Sequence, residues 1–206
     1  MPHFRLAVPE DAQQILDIYG AYCHTTVTLD LQAPTLVQMQ ERIALILERF
    51  PWIVLEEDGK MLGYVYVDRH REREAYKWSV NTAIYVHPER HRQGIGRSLY
   101  CSLFEVLRLQ GFYNAYAVIV LPNPKSVALH EAMGFKRVGV YQGVGYKCGD
   151  WRDAAWYHLR LRPLEHDPAL PRRIGEMPHV AGWEDALQAG LGFLRSPAIP
   201  GSARCD

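Results

Sequence analysis

Apolar and polar positions follow two different periods along this chain, and the switches between them divide it into elements. "HFRLAV" (His3 to Val8) alternates like a short strand, and Pro9 opens a helix whose Ile15, Ile18, Tyr19 and Tyr22 recur at helical spacing. Thr35 and Gln38 stand in capping-box spacing before Leu36, Met39, Ile43, Leu47 and Phe50, the stripe of a second helix. Two β-rich runs flank Asp58-Gly59, a hairpin signal, and a further strand is expected from Tyr76 to Val86. A glycine-containing loop follows. Ile95, Leu99, Leu103, Val106 and Leu107 then mark a helix that Gly111 stops, and "AYAVIV" reads as a buried strand.

Asn123 to Met133 predicts a short helix ending at Gly134, after which two strands turn around Gly149-Asp150 and close near Leu161. Residues 1–162 therefore read as one domain and 163–206 as an extension. Pro163, Pro168, Pro171 and Pro178 interrupt the extension too often for regular structure, so it reads as a linker. Trp183, Leu187, Leu191 and Leu194 allow a short docked helix near 183–195, weakened by Gly190 and Gly192; a mobile tail is the alternative.

Composition narrows the class. A chain of 206 residues with 48% apolar and 22% charged positions has the make-up of a globular protein with one sizeable core. Lys+Arg and Asp+Glu balance at 23 each, which removes the broad basic field of a nucleic-acid binder, so any anion site must be local. Cys23, Cys101, Cys148 and Cys205 form no C-x-x-C pair, so neither a metal site nor a disulfide framework is expected. With no signal peptide or membrane span, the sequence reads as cytoplasmic.

The local anion site is visible in "NTAIYVHPERHRQGIGRSLY". A strand that enters a glycine turn and leaves as a helix exposes unpaired N–H groups at the positive end of the helix dipole. Gly94 and Gly96 allow close approach, and Arg90, His91, Arg92 and Arg97 add positive charge, as a diphosphate requires. The turn lacks the spacing and lysine of a P-loop, and Leu99 stands where a dinucleotide fingerprint needs its third glycine. A plain strand-to-helix turn with solvated arginines is the competing reading.

"HRQGIG" resembles the [QR]-x-x-G-x-[GA] loop of the GNAT superfamily of N-acetyltransferases, and "NPKSVALHEAMGF" resembles that superfamily's downstream asparagine segment. "TTVTLD", "RFPWIVLEEDGKMLGYVYV", "AYKWSVNTAIYVHPERHRQGIG" and "GYKCGDWRDAAWYHLRL" extend the likeness to the phosphinothricin acetyltransferase family over roughly residues 3 to 161. The resemblance implies a mixed α/β (α+β) fold: a mostly antiparallel twisted sheet of about seven strands flanked by about four helices. It also implies acetyl-coenzyme A as cosubstrate, acetylation of the α-amino group of a small amino-acid analogue, and a homodimer.

Carried across residue by residue, the resemblance puts the backbone of Ile84, Tyr85 and Val86 beside the pantetheine arm. The loop Arg92, Gln93, Gly94, Ile95, Gly96 and Arg97 would hold the pyrophosphate, and Asn123 would contact the cofactor, although its position also suits a helix N-cap. The family's strand motif "TVE" carries a glutamate, a natural base; here the motif reads "SVN", and the amide of Asn81 cannot accept a proton. Asn81 would then order a water, or His130 would act as base or as the acid for the thiolate, or activity would be lost or changed. Arg71, Arg73, Tyr76 and Trp78 fall on the family's substrate-side segment, where an arginine can grip a carboxylate and aromatic rings can wall a pocket. "RHRERE" also reads as a solvated loop. An acetyltransferase for a polyamine, an antibiotic or a protein N-terminus, and a coenzyme A-binding module without catalysis, are the competing functions.

Overall fold

A computed structural model describes residues 1–195. Seven strands form one sheet: β1 (His3–Leu6), β2 (Trp52–Glu57), β3 (Lys60–Arg69), β4 (Ser79–Val86), β5 (Asn114–Leu121), β6 (Lys136–Lys147) and β7 (Asp150–Arg160). Their order is β1-β2-β3-β4-β5-β7-β6, and every neighbouring pair is antiparallel except β4 with β5. The β2–β3 turn takes the positive φ angles that Asp58 and Gly59 tolerate. The expected strand from Tyr76 is shorter: Glu74–Tyr76 form a 3-10 turn, and pairing begins at Ser79.

The central strands are buried on both faces, and their alternation sorts the side chains into two cores. Ile53, Leu55, Val65, Val67 and Val80 pack under α3 (Ile95–Gln110) with Leu99, Leu103 and Leu107. Trp52, Val54, Tyr64 and Tyr66 pack on the opposite face under α1 (Ala12–Cys23) and α2 (Leu36–Leu47), with Ile15, Met39 and Ile43. The capping box forms as the spacing predicts: Thr35 accepts from the Gln38 amide, and Gln38 accepts from the Thr35 amide. Gly111 ends α3 at φ 100°, a left-handed conformation that penalises side chains.

The proline-rich extension departs from the linker reading. Ile174–His179 form a 3-10 turn whose Ile174 and Met177 join the α3-side core, and α5 (Trp183–Gln188) adds Trp183 and Leu187 to it. This strap runs along α3. Arg172 donates its amide to the Gln110 carbonyl, and the Ser98 hydroxyl donates to the Gly190 carbonyl at 2.7 Å. At β1, the Gln188 side chain accepts from the Phe4 amide and donates to the Phe4 carbonyl. Helix α5 ends before Leu191 and Leu194, which lie at a separate 3-10 turn over Leu191–Phe193. Cys205 and the end of the extension lie outside the described residues.

Candidate active site

The site exists because two parallel neighbours part company. β4 and β5 pair from Ser79↔Asn114 to Thr82↔Ala117 and no further, so beyond Thr82 the sheet opens into a cleft of about 650 Å³. Thr82 to Val86 form one wall, Val118 and Ile119 the other, and the ends of α3 and α4 (Pro124–Ala132) close it. Of the expected cofactor residues, Ile84, Tyr85, Val86, Arg92, Gly94, Ile95, Gly96, Arg97 and Asn123 all line the cleft. Gln93 does not; its carbonyl accepts from the Arg195 amide at 3.0 Å.

At the start of α3 the first amide returned to the helix is that of Ser98, which donates to the Gly94 carbonyl. The N–H groups of Ile95, Gly96 and Arg97 have no protein acceptor among the described residues, the open end that binds anions. Arg90, Arg92, Arg97 and Lys125 surround it. Three free amides and four cations fit a diphosphate-bearing ligand. The glycines are explained by packing as well as by ligand approach. Gly94 has φ 80°, and a Cβ there would meet the Phe193 carbonyl oxygen at 2.2 Å; one on Gly96 would meet Leu129 at 2.9 Å. The Arg97 guanidinium lies 4.5 Å from the centre of the Phe193 ring, so the strap braces this loop from behind.

Asn123 is the N-cap of α4, its Oδ1 accepting from the Ser126 amide, and it also lines the cleft. Both sequence readings hold for it. His130 lines the cleft but is only 4% exposed. Its Nδ1 lies 2.8 Å from the Ser126 carbonyl, which can only accept, so Nδ1 carries the proton. Nε2 is therefore the acceptor for the Tyr100 hydroxyl at 2.7 Å, and Tyr100 in turn lies 3.2 Å from Thr82 Oγ1. Burial lowers the His130 pKa below 6.5, against the Ser126 hydrogen bond, and keeps the ring neutral. Tyr100 and Thr82 were not expected here, since in sequence they read as ordinary helix and strand positions. Tyr22 from α1 was also missed; its hydroxyl donates to the Val86 carbonyl.

The opposite sheet face carries a second group of side chains. Asp68, Asn81, Tyr116 and His158 occupy one cross-strand row through β3, β4, β5 and β7. His70 stacks on Tyr116 at 4.1 Å, with Tyr76 and Trp156 edge-on to it, and the Arg71 guanidinium lies 5.6 Å over the Trp156 ring. Arg71, Tyr76 and Asn81 are thus brought together. Arg73 is exposed and only begins the 3-10 turn. Trp78 faces away, donating Nε1–H to the Ala169 carbonyl of the strap, and does not line the cleft.

Comparison with known proteins matches residues 4–156 to the acetyltransferase (GNAT) domain. The chain belongs to the GNAT acetyltransferase family. The enzyme is 35% identical to a phosphinothricin N-acetyltransferase of Streptomyces viridochromogenes, across 82% of this chain and 91% of that protein. It is 30% identical to an L-methionine sulfoximine/L-methionine sulfone acetyltransferase of Salmonella typhimurium, across 76% and 93%. Among solved structures, a GNAT superfamily phosphinothricin acetyltransferase from Sinorhizobium meliloti in complex with AcCoA superimposes with a TM-score of 0.75. The identity is 32%, across 82% of this chain and 93% of that one. The enzyme is an acetyl-coenzyme A-dependent N-acetyltransferase with the expected seven-stranded fold.

Proposed function

We propose that the enzyme acetylates the α-amino group of a small amino acid or amino-acid analogue of the phosphinothricin and methionine sulfoximine type. The observation that carries this reading is the aromatic cluster of His70, Tyr76, Tyr116 and Trp156, with the Arg71 cation over the Trp156 ring, two residues along β4 and β5 from the cleft-lining Ala83 and Val118. A small zwitterion needs a cation for its carboxylate and a walled pocket for its side chain. The names of the relatives point the same way.

Bound acetyl-coenzyme A supplies an activated acetyl thioester. The amides of Ile95, Gly96 and Arg97, with Arg90, Arg92 and Lys125, would hold its phosphates, and the β4 edge at Ile84, Tyr85 and Val86 would hold its amide-bearing arm. The cap of α4 uses Asn123 Oδ1, which leaves the NH2 group for the ligand. His130 is neutral: Nε2 accepts from the Tyr100 hydroxyl, and its one proton sits on Nδ1, held by the Ser126 carbonyl. A neutral imidazole N–H is too weak an acid to protonate a thiolate directly, so His130 contributes by ordering the Tyr100 hydroxyl beside Thr82 on the cleft wall.

Two finer points accompany this reading. The enzyme acts as a homodimer, supported by the exposed apolar side chains Val138, Tyr141, Val144 and Tyr146 on edge strand β6, beside exposed Trp151. It works in the reducing cytoplasm, supported by the free thiols of Cys23, Cys101 and Cys148.

The test is thiol release from acetyl-coenzyme A against phosphinothricin, methionine sulfoximine, methionine sulfone, polyamines and N-terminal peptides. Saturable turnover confined to the small amino-acid analogues is expected. Tight coenzyme A binding with no turnover on any amine overturns the proposal in favour of a binding module.

A further inference from the structure

We propose that His70 is the general base that takes the proton from the substrate ammonium, and that Asn81, which occupies the position of the missing glutamate, holds it in place. The inference rests on the amino-acid reading above and adds the proton acceptor that reading lacks.

The hydrogen bonds fix the protonation pattern. Asn81 Nδ2 donates to the Arg69 carbonyl at 3.2 Å, which sets the amide's orientation and turns Oδ1 toward His70. Oδ1 lies 2.8 Å from His70 Nδ1 and can only accept, so Nδ1 carries the proton of the neutral ring. Nε2 is left with its lone pair. An amide that cannot itself act as a base thus sets the tautomer of a neighbour that can, the arrangement of a base with an orienting partner.

The location suits the role. His70 lies flat on Tyr116, over the β4–β5 pair, and is only partly buried. Two residues along the same face, about 7 Å on at strand spacing, Ala83 and Val118 line the cleft. Three buried polar atoms on this face have no partner among the described residues: Trp52 Nε1 in the core under α1 and α2, and, on the strands that carry the His70 cluster, Asp68 Oδ1, an acceptor, and Trp156 Nε1, a donor. Buried polar atoms are normally paired, so the open Trp156 indole N–H, edge-on to His70, suits a polar ligand there, while Asn81 also supports the Asp68 carboxylate. His130, the other candidate base, has both ring nitrogens engaged on the far side of the sheet.

The protons balance. The ammonium gives one proton to His70 Nε2, and the freed amine forms the C–N bond to the acetyl carbon as the C–S bond breaks. A second nitrogen proton replaces the carbon on sulfur, the amide keeps the third, and His70 returns its proton to water. Around the ring stand Asp68 on β3, Tyr76, Arg71, Tyr116 on β5 and His158 on β7, with Arg42 from α2 interacting with Asp68. Burial raises the Asp68 pKa above 3.8 and lowers that of His158 below 6.5.

The test compares wild type with His70→Gln and Asn81→Ala. At pH 7, His70→Gln is expected to lose roughly 10²- to 10⁴-fold in kcat/KM with acetyl-coenzyme A affinity unchanged by calorimetry. The deficit should shrink as pH rises and the free amine sheds its proton in solution, and imidazole should rescue His70→Gly. A deficit constant with pH, or below about threefold, overturns the assignment. Nitrogen-15 NMR of the enzyme without amine gives an answer independent of turnover. The Nδ1–H tautomer is expected at His70 and should be lost in Asn81→Ala, whereas an Nε2–H tautomer in wild type overturns the proposal. A wild type that turns over no small amino acid sinks the substrate reading; active wild type with active His70→Gln sinks only the base.

Discussion

Gly190 sits so close to Ser98 that a Cβ on it would lie 1.9 Å from the Ser98 carbonyl oxygen, and its own amide donates to Ser102 Oγ at 3.0 Å. The strap therefore meets α3 backbone to backbone, in the first two turns of the helix whose free amides form the anion site. Gly190→Val cannot be relieved by a rotamer change. It should cost at least about 2 kcal/mol in urea denaturation. Acetyl-coenzyme A Kd should weaken by roughly three- to tenfold as the bracing of Gln93 to Arg97 is lost. Unchanged affinity in a destabilised variant would separate the strap from the loop.

His130 gives the fold a defined acid sensitivity. Its folded pKa lies below 6.5, chiefly through burial, so between that value and 6.5 the unfolded chain binds the proton that the folded chain refuses. Stability should fall as pH drops below about 6.5 and be flat above it. Urea midpoints at pH 7.5 and 5.5 should differ less in His130→Gln than in wild type.

Lys147 is 5% exposed, and its ammonium donates to the carbonyls of Thr28 and Asp30 at 2.7 Å each. It pins to the β6–β7 hairpin the loop that brings Val27 to the cleft. Lys147→Met leaves the carbonyl of buried Thr28 without its donor, at roughly 1–3 kcal/mol, while exposed Asp30 can turn to water. Limited proteolysis between Thr25 and Leu31 should become several-fold faster, and acetyl-coenzyme A should slow it.

The charge around the anion site predicts a salt effect. With Arg90, Arg92, Arg97 and Lys125 lining the cleft, acetyl-coenzyme A affinity should fall as salt rises from 50 to 500 mM, because screening shortens the reach of each charge. Lys125→Gln should bind more weakly at low salt and show a shallower dependence in calorimetry. An equal slope would place Lys125 outside the phosphate field.

The elements that residue chemistry specifies locally were legible in the sequence. The Thr35–Gln38 box, the Asp58-Gly59 turn, the Gly111 stop and the Asn123 cap each depend on a few neighbouring residues, and each is where the spacing puts it. The cofactor loop was legible for the same reason. His70 was not: between Arg69 and Arg71 it reads as one charge in a solvated run, and its importance appears only when Asn81 and Tyr116 are brought beside it by strand pairing. Trp78 misled because it precedes the first paired residue of β4, and the strap claims its indole. In the strap only Trp183 and Leu187 show a period, that of the docked helix expected near 183–195; upstream it touches the domain through single residues such as Ile174 and Met177, among prolines and turns.

The side chain of Gln188 does for β1 what an eighth strand would do. By offering one acceptor and one donor to Phe4, its amide imitates a peptide group at the free margin of the sheet. An open margin of this kind templates pairing with other chains, and proteins that leave it bare tend to polymerise through it. Helix α5 thus acts as a built-in guard against aggregation.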